Sequence, residues 1–338
     1  MSFTIALNFE DGITRFIQCN AGEKVLDAAY RQKMNLPMDC SDGVCGTCKC
    51  HCASGDYALG EDFLAEALSD EEAAARQVLT CQMIPSSDCV IDVPVASAQC
   101  KTGITTTDAD VVAINALSDT AIELVVRPET PLHFLSGQYI NIQIPGTPHL
   151  RAYSFSSLPG SQEGRFLIRN VPGGLMSQWL TQRGQPGDTL TLSGPMGSFY
   201  LRHTVRPVLM LAGGTGLAPM LSMLETLAQR QSQRQITLLY GVTSDVDLVK
   251  TEALDAFRQK LPGFRWLPVV TDAQSACPQR GFVTDHLSDE MLNQGEVDIY
   301  LCGPPPMVNA ITMALRERNI TPAGFWYEKF IASQSAAA

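Results

Sequence analysis

Along FTIALNFEDGITRFIQC (3–19) apolar and polar residues alternate with a period of two, which predicts two strands joined at Asp11-Gly12, a dipeptide suited to a tight hairpin. EKVLDAAYRQK (23–33) has helical spacing instead, and Ser69 followed by Glu72 forms a capping box that opens a short helix ahead of Cys81. PVASAQCKTGI (94–104) holds few large apolar groups and reads as a linker. From Asp108 short alternating runs are punctuated by Gly and Pro: VVAINAL, IELVVRP, GQYINIQIPG, RAYSFSS, RFLIRN and DTLTLSGPMGSFYL. That rhythm predicts a small antiparallel β-barrel. RPVLMLAGGTGLAPMLSMLETLA (206–228) then passes from an apolar run through a glycine turn into an amphipathic helix with Leu221, Leu224 and Leu227. It reads as the βα unit of a doubly wound parallel α/β sheet, to which QITLLYGV, FRWLPVV and VDIYLCGPPPM add strands. The expected organisation is multidomain, α+β and α/β, with units at 1–98, 107–204 and 205–338 and a linker at 99–106.

Charge narrows the partners. The net charge of −11 argues against nucleic acid or an anionic membrane surface, both of which demand a basic face. Residues 1–98 hold 6 Lys/Arg against 15 Asp/Glu, so one segment carries most of the imbalance, and an electropositive protein partner remains allowed. Pro207–Leu224 is 18 residues without a charge, but three glycines and two prolines break it, which predicts a buried strand, turn and helix rather than a membrane span. The beginning, MSFTIALNFEDG, has neither a basic n-region nor a long apolar stretch, so the expected location is the cytoplasm.

Eleven cysteines in such a chain are expected to be reduced, and clustered ones read as metal or redox groups. In DCSDGVCGTCKCHC, Cys40, Cys45 and Cys48 form C-x4-C-x2-C, and Cys81 follows in VLTCQM. Three thiolates from one loop and a fourth from a distant segment suit a 2Fe-2S core, and Gly43 and Gly46 let the loop backbone approach it. A zinc ribbon would need a second C-x2-C knuckle, which is missing. Cys50 and Cys52 read as structural, and Cys19, Cys89 and Cys100 as buried small hydrophobes. With this motif, residues 1 to about 95 resemble a plant-type ferredoxin, which implies a β-grasp fold.

The Arg-x-Tyr-Ser of RAYSFSS, preceded by GQY and followed by VPGGLMSQWL, resembles the flavin domain of the ferredoxin–NADP reductase superfamily. The resemblance implies FAD, with Arg151 on its pyrophosphate, Tyr153 packed on the isoalloxazine and Ser154 near flavin N5. Gly174, Leu175, Met176 and Ser177 open a helix whose N–H groups suit the pyrophosphate. AGGTG-x-AP and CGPPPM match the same superfamily in the third unit. There Gly213, Gly214, Thr215 and Gly216, with Gly303 and Pro304, would take NAD, and Cys302 would face the nicotinamide. In the terminal YEKF, Glu328 would organise the hydride site and Phe330 cover the flavin, although the chain continues past Phe330 through IASQSAAA. After LLYGV, Asp245 and Asp247 occur without Lys or Arg across 243–249, which favours NADH, since an NADP site needs a cation for the 2′-phosphate.

The domain order is similar, over the whole length, to the reductase components of bacterial aromatic-ring oxygenases. PMDCSDGVCGTCKC and KTG are most similar to the benzoate/toluate 1,2-dioxygenase reductases, with anthranilate 1,2-dioxygenase reductases next. The resemblance implies transfer from NADH through FAD and the 2Fe-2S cluster to a Rieske terminal oxygenase docked on the acidic ferredoxin domain, where Glu61, Asp62, Glu66, Glu71 and Glu72 are candidates. A di-iron phenol- or methane-type monooxygenase is the rival partner, and an NADH-binding redox sensor the rival class.

Overall fold

The computed structural model describes residues 2–32, 34–38, 43–44, 46–60, 63–100, 105–202 and 205–330. Cys40, Cys45, Glu61 and Asp62 lie outside the described residues. The contacts divide the chain into two compact units, Met1–Thr105 with Met196–Ser198, and Thr106–Pro195 with Phe199–Ala338.

In the first unit β1 (Ser2–Phe9) and β2 (Thr14–Asn20) form the hairpin expected at Asp11-Gly12, with Gly12 at φ +76° where a side chain would be strained. Helix α1 (Val25–Arg31) follows, then β3 (Lys49–Ser54), β4 (Tyr57–Leu59), α2 (Asp70–Ala74), β5 (Gln77–Leu79), β6 (Met83–Pro85) and β7 (Cys89–Val93). The main sheet runs β2-β1-β7-β3-β5, with β1 and β7 parallel, and β4 pairs β6 separately. This is the β-grasp arrangement. The capping box forms as the sequence predicts: Glu72 N–H donates to Ser69 Oγ at 3.3 Å and Ser69 N–H to Glu72 Oε2 at 2.9 Å. Cys19, Cys50, Cys52, Cys89 and Cys100 are all buried in this unit's core beside Ile5, Leu7, Leu79 and Ile91.

The second unit holds two sheets. The first comprises β8 (Thr105–Ser118), β9 (Ala121–Pro128), β10 (Tyr139–Gln143), β11 (Leu150–Ser154), β12 (Gly164–Arg169) and β13 (Thr189–Met196), with α3 (Leu175–Gln182) between the last two. Its order is β11-β10-β13-β8-β9-β12. The edge strands meet through an antiparallel bridge at Phe155 and Phe166 and through Ser156 N–H to Arg165 O at 2.8 Å, which closes the sheet into a barrel. Phe134, Phe155 and Phe166 pack inside it.

The second sheet is parallel and runs β16 (Phe264–Val270), β15 (Ile236–Val242), β14 (Val208–Gly213), β17 (Asp298–Gly303), β18 (Gly324–Lys329). Helices α4 (Leu217–Gln229), α5 (Thr251–Lys260), α6 (Asp289–Leu292) and α7 (Pro305–Glu317) connect these strands. The uncharged run from Pro207 is explained here: β14 is buried along nearly its whole length and α4 from Leu217 through Leu224. Among the described residues, no helix is long and apolar enough to cross a membrane. One strand was not expected. GFWYEK forms β18, an edge strand pairing β17 with Cys302 opposite Glu328.

Candidate functional site

Strand order reverses direction at β14 and β17, and in such sheets ligands bind beyond the carboxyl ends of the strands at this switch point. Both glycine-bearing motifs lie there. The turn Gly214–Gly216 leads from β14 into α4, and a Cβ on Gly216 would stand 2.3 Å from Cys302 O. A Cβ on Gly213 would meet Met307 Sδ at 2.7 Å, and one on Gly303 the same sulfur at 3.0 Å. The three glycines therefore let two strand ends and a helix start close on each other. Gly214 is exposed at φ +53° with open space where a Cβ would go, and this backbone fits an approaching pyrophosphate at a helix N-terminus.

The three expected catalytic side chains converge. Ser154 Oγ, at the end of β11, donates to Glu328 Oε2 at 2.9 Å, and Cys302 Sγ lies 3.9 Å from the same oxygen. All are buried, Cys302 at 0%, Ser154 at 4% and Glu328 at 7% exposure. A carboxylate taken from water this far is costly unless hydrogen-bonded, and the hydroxyl and thiol meet that need. The parallel pairing of β17 with β18 sets Glu328 beside Cys302, and the barrel delivers Ser154 to both. Phe330 N–H donates to Gly303 O at 2.9 Å, and its side chain packs against the cluster that contains Cys302.

On the barrel, Tyr153 is half-buried, and burial pushes its phenol well above the ordinary value. Arg151 donates to Leu150 O at 2.8 Å. Gly174 caps α3, where a Cβ would come 3.1 Å from Val171 O. The Ser177 hydroxyl accepts from Val171 N–H at 2.9 Å and reaches Arg169 O at 3.4 Å, so it closes the loop ahead of the helix. Leu175, Met176 and Ser177 then supply first-turn N–H groups, which a helix leaves without internal partners and which fit a flavin pyrophosphate.

Asp245 and Asp247 flank a short turn after β15. Asp245 is exposed, with Oδ1 accepting from Ser275 Oγ at 2.5 Å and Oδ2 from Ala276 N–H at 3.3 Å. Asp247 Oδ1 accepts from Thr120 Oγ1 at 2.5 Å, and its Oδ2 from Ser244 N–H and Oγ at 3.0 and 2.8 Å. Burial pushes the Asp247 carboxyl up, but these donors outweigh it and hold the group below the ordinary Asp value. Thr120, Ser275 and Lys250, which donates to Glu123, escape sequence reading because nothing marks them among ordinary surface residues.

In the first unit Cys48 Sγ and Cys81 Sγ stand 3.2 Å apart, both buried and neither in a disulfide. Two thiolates on one tetrahedral metal with bonds of about 2.3 Å span about 3.8 Å, so this pair is near enough to share one iron once the sulfurs part by about 0.6 Å. Gly46, at φ +74° with a would-be Cβ 3.3 Å from Ala67 O, holds the loop against residue 67. Glu72 is committed elsewhere: it accepts from Lys49 Nζ at 2.6 Å as well as capping α2, whereas Glu66 and Glu71 are exposed. A separate cavity of about 520 Å³ in the second unit, lined by Glu123, Ser156, Arg165, Leu221, Lys250 and Phe257 among others, holds none of the expected site residues.

Three family models match: the 2Fe-2S iron-sulfur cluster binding domain over residues 8–86, the oxidoreductase FAD-binding domain over 109–200 and the oxidoreductase NAD-binding domain over 210–313. The chain is an oxidoreductase that carries a 2Fe-2S cluster, FAD and an NAD site. It is 52% identical to the toluate 1,2-dioxygenase electron transfer component of Pseudomonas putida, over 98% of this chain and 100% of that protein. It is 45% identical to the 2-halobenzoate 1,2-dioxygenase electron transfer component of Burkholderia cepacia, over 98% of each. Among solved structures, the Amycolatopsis cytochrome P450 reductase GcoB superposes with a TM-score of 0.75 at 29% identity, over 97% of this chain and 99% of that one. The ferredoxin reductase in carbazole 1,9a-dioxygenase gives 0.67 at 28% identity, over 98% and 100%. A cysteine loop, a flavin barrel and a nucleotide sheet, matched end to end at this identity, place the chain in the family of dioxygenase electron transfer components.

Proposed function

We propose that this protein is the NADH-dependent reductase of a benzoate/toluate-type 1,2-dioxygenase, feeding a Rieske terminal oxygenase. The observation that carries the reading is the meeting of Ser154, Cys302 and Glu328 on one carboxylate oxygen at the switch point of the nucleotide sheet. Bound FAD supplies the exchange between two-electron hydride chemistry and single electrons, which the cluster carries onward. The chain's own residues position and insulate. Cys302 and Glu328 line the end of β17 and β18, where their burial excludes water from a nicotinamide ring. Ser154 holds the Glu328 carboxylate in place, while Arg151, Tyr153 and the first turn of α3 supply charge, an aromatic face and N–H donors for the flavin. Cys48 and Cys81, with Cys40 and Cys45, are the cluster ligands of this reading.

NADH is favoured because the carboxylates after β15 would repel a 2′-phosphate. It is a cytoplasmic reductant, and the reading is of a cytoplasmic protein. The dioxygenase reading is favoured over the di-iron one because relatives named for dioxygenases stand at 52%, 45% and 39% identity, against 32% for the phenol 2-monooxygenase reductase of Pseudomonas. Docking falls to the acidic first unit, with exposed Glu66 and Glu71 facing a basic patch of the oxygenase. The test is NADH-driven product formation with purified benzoate, anthranilate and phenol oxygenase components that lack their own reductases. Best turnover with the benzoate enzyme is expected. Failure with all three, in a preparation that reduces cytochrome c, would refute the choice of partner. Reversing Glu66 and Glu71 to Lys is expected to slow transfer and flatten its salt dependence.

A further inference from the structure

The connection between β15 and α5 is fastened at two points to one hairpin of the barrel. Thr120, in the turn between β8 and β9, donates to Asp247 Oδ1 at 2.5 Å. Three residues along β9, Glu123 accepts from Lys250 Nζ at 2.6 Å and from Asn115 Nδ2 at 3.2 Å. The Glu123 side chain is 6% exposed and that of Lys250 23%, so this pair is largely withdrawn from water. Lys250 caps α5 at φ +59°, a left-handed conformation that disfavours any residue with a Cβ. A glycine there would relieve the backbone, but it would forfeit the ammonium. Just ahead of the first fastening stand Asp245, exposed, and Val246, 71% exposed. The segment from Asp247 to Lys250 is thus tied to the barrel at both ends, while Asp245 before it is held by Ser275 and Ala276.

The charge arrangement matters for the nucleotide. Lys250 is the first cation after β15, three residues beyond the acidic turn, and a free ammonium there would be a ligand for a phosphorylated ribose. Its pairing with Glu123 removes that option. We propose that the β8–β9 hairpin positions the ribose end of the NAD site: Thr120 holds the acidic turn in place, and Glu123 sequesters Lys250, so the barrel helps set both dinucleotide affinity and the preference for an unphosphorylated ribose. Neither residue takes part in electron transfer. The inference rests on the reading that the β15–α5 connection faces the ribose.

The experiment uses the full-length holoprotein and measures dissociation constants for NAD+ and NADP+ by titration calorimetry, alongside steady-state constants with NADH and NADPH. Thr120→Val, on an exposed turn, is expected to raise the NAD+ dissociation constant and the NADH KM about 5- to 20-fold with kcat unchanged, and Thr120→Ser to restore both. Glu123→Gln is expected to tighten NADP+ and raise kcat/KM for NADPH about 5- to 10-fold, and adding Lys250→Gln to erase that gain, as a double-mutant cycle demands. Dissociation constants that stay within twofold in Thr120→Val, with an unchanged NADH to NADPH ratio in Glu123→Gln, would overturn the proposal. So would a lower melting temperature in both variants without any change in either nucleotide's affinity. Asp245→Asn separates the underlying reading: if it too leaves both affinities unchanged, the connection does not face the ribose, whereas if it alone shifts them, the ribose reading stands and the barrel's role fails.

Discussion

Replacing Gly216 by alanine should disable the nucleotide end of the site while sparing the rest of the molecule. The new Cβ would lie 2.3 Å from Cys302 O, 2.7 Å from Cys302 C and 3.2 Å from Gly303 N, all of them backbone atoms of a strand buried in the middle of the sheet. No flexible side chain can yield, so the turn must recede by about 1 Å to regain van der Waals distance. Overpacking of this kind costs about 1–3 kcal/mol, which for a unit of this size lowers the melting temperature by roughly 2–12 °C. A shift of about 1 Å in a positioning element is worth about 100-fold in rate. NADH-driven flavin bleaching in a stopped-flow spectrometer is therefore expected to slow by about two orders of magnitude. Gly187→Ala, on a turn outside the site, is the control: its Cβ meets nothing within 4 Å, and only its φ of +94° is penalised, at about 1–2 kcal/mol. It should melt earlier yet bleach within a few-fold of the wild-type rate. Equal rates in the two variants would refute the claim that close approach of this turn to β17 builds the site.

Ser154→Ala removes a hydrogen bond to a buried carboxylate, so a loss of about 1–3 kcal/mol in chemical denaturation is expected, together with slower flavin reduction by NADH; Ser154→Thr, which keeps the hydroxyl, should recover much of the rate. Cys81→Ser should abolish the visible spectrum of the cluster and transfer to the oxygenase, while NADH still reduces ferricyanide at the flavin. The Lys49 ammonium beside Glu72, then the Ser69 N–H, hold the Glu72 carboxyl below the ordinary Glu value. A depressed carboxylate stabilises the fold above its unfolded pKa and loses that contribution as pH falls through the folded value. Glu72→Gln should therefore be less stable than wild type at pH 7, by no more than about 1 kcal/mol since the side chain is 42% exposed, and the difference should vanish as acidification carries the pH well below the ordinary Glu value.

What the chain discloses in advance divides by distance along it. The hairpin at Asp11-Gly12, the capping box at Ser69 and the glycine turn after β14 are each written within a few residues, because φ preference and reciprocal capping are local. Ser154 and Glu328 lie 174 positions apart, and no periodicity links them; only the resemblance of RAYS and YEKF to known flavin domains brought them together. β18 stayed hidden because GFWYEK is buried only at its first and fifth residues, without the alternation that marks a half-buried strand. The nucleotide preference is the instructive case. Counting charges across 243–249 finds two acids and no cation, yet the next residue is a lysine. What keeps its ammonium from a phosphate is Glu123, buried on β9 of the barrel. Charge composition near a binding loop thus constrains a ligand only after the tertiary partners of each charge are known, and in this fold a strand of the flavin barrel supplies the decisive one.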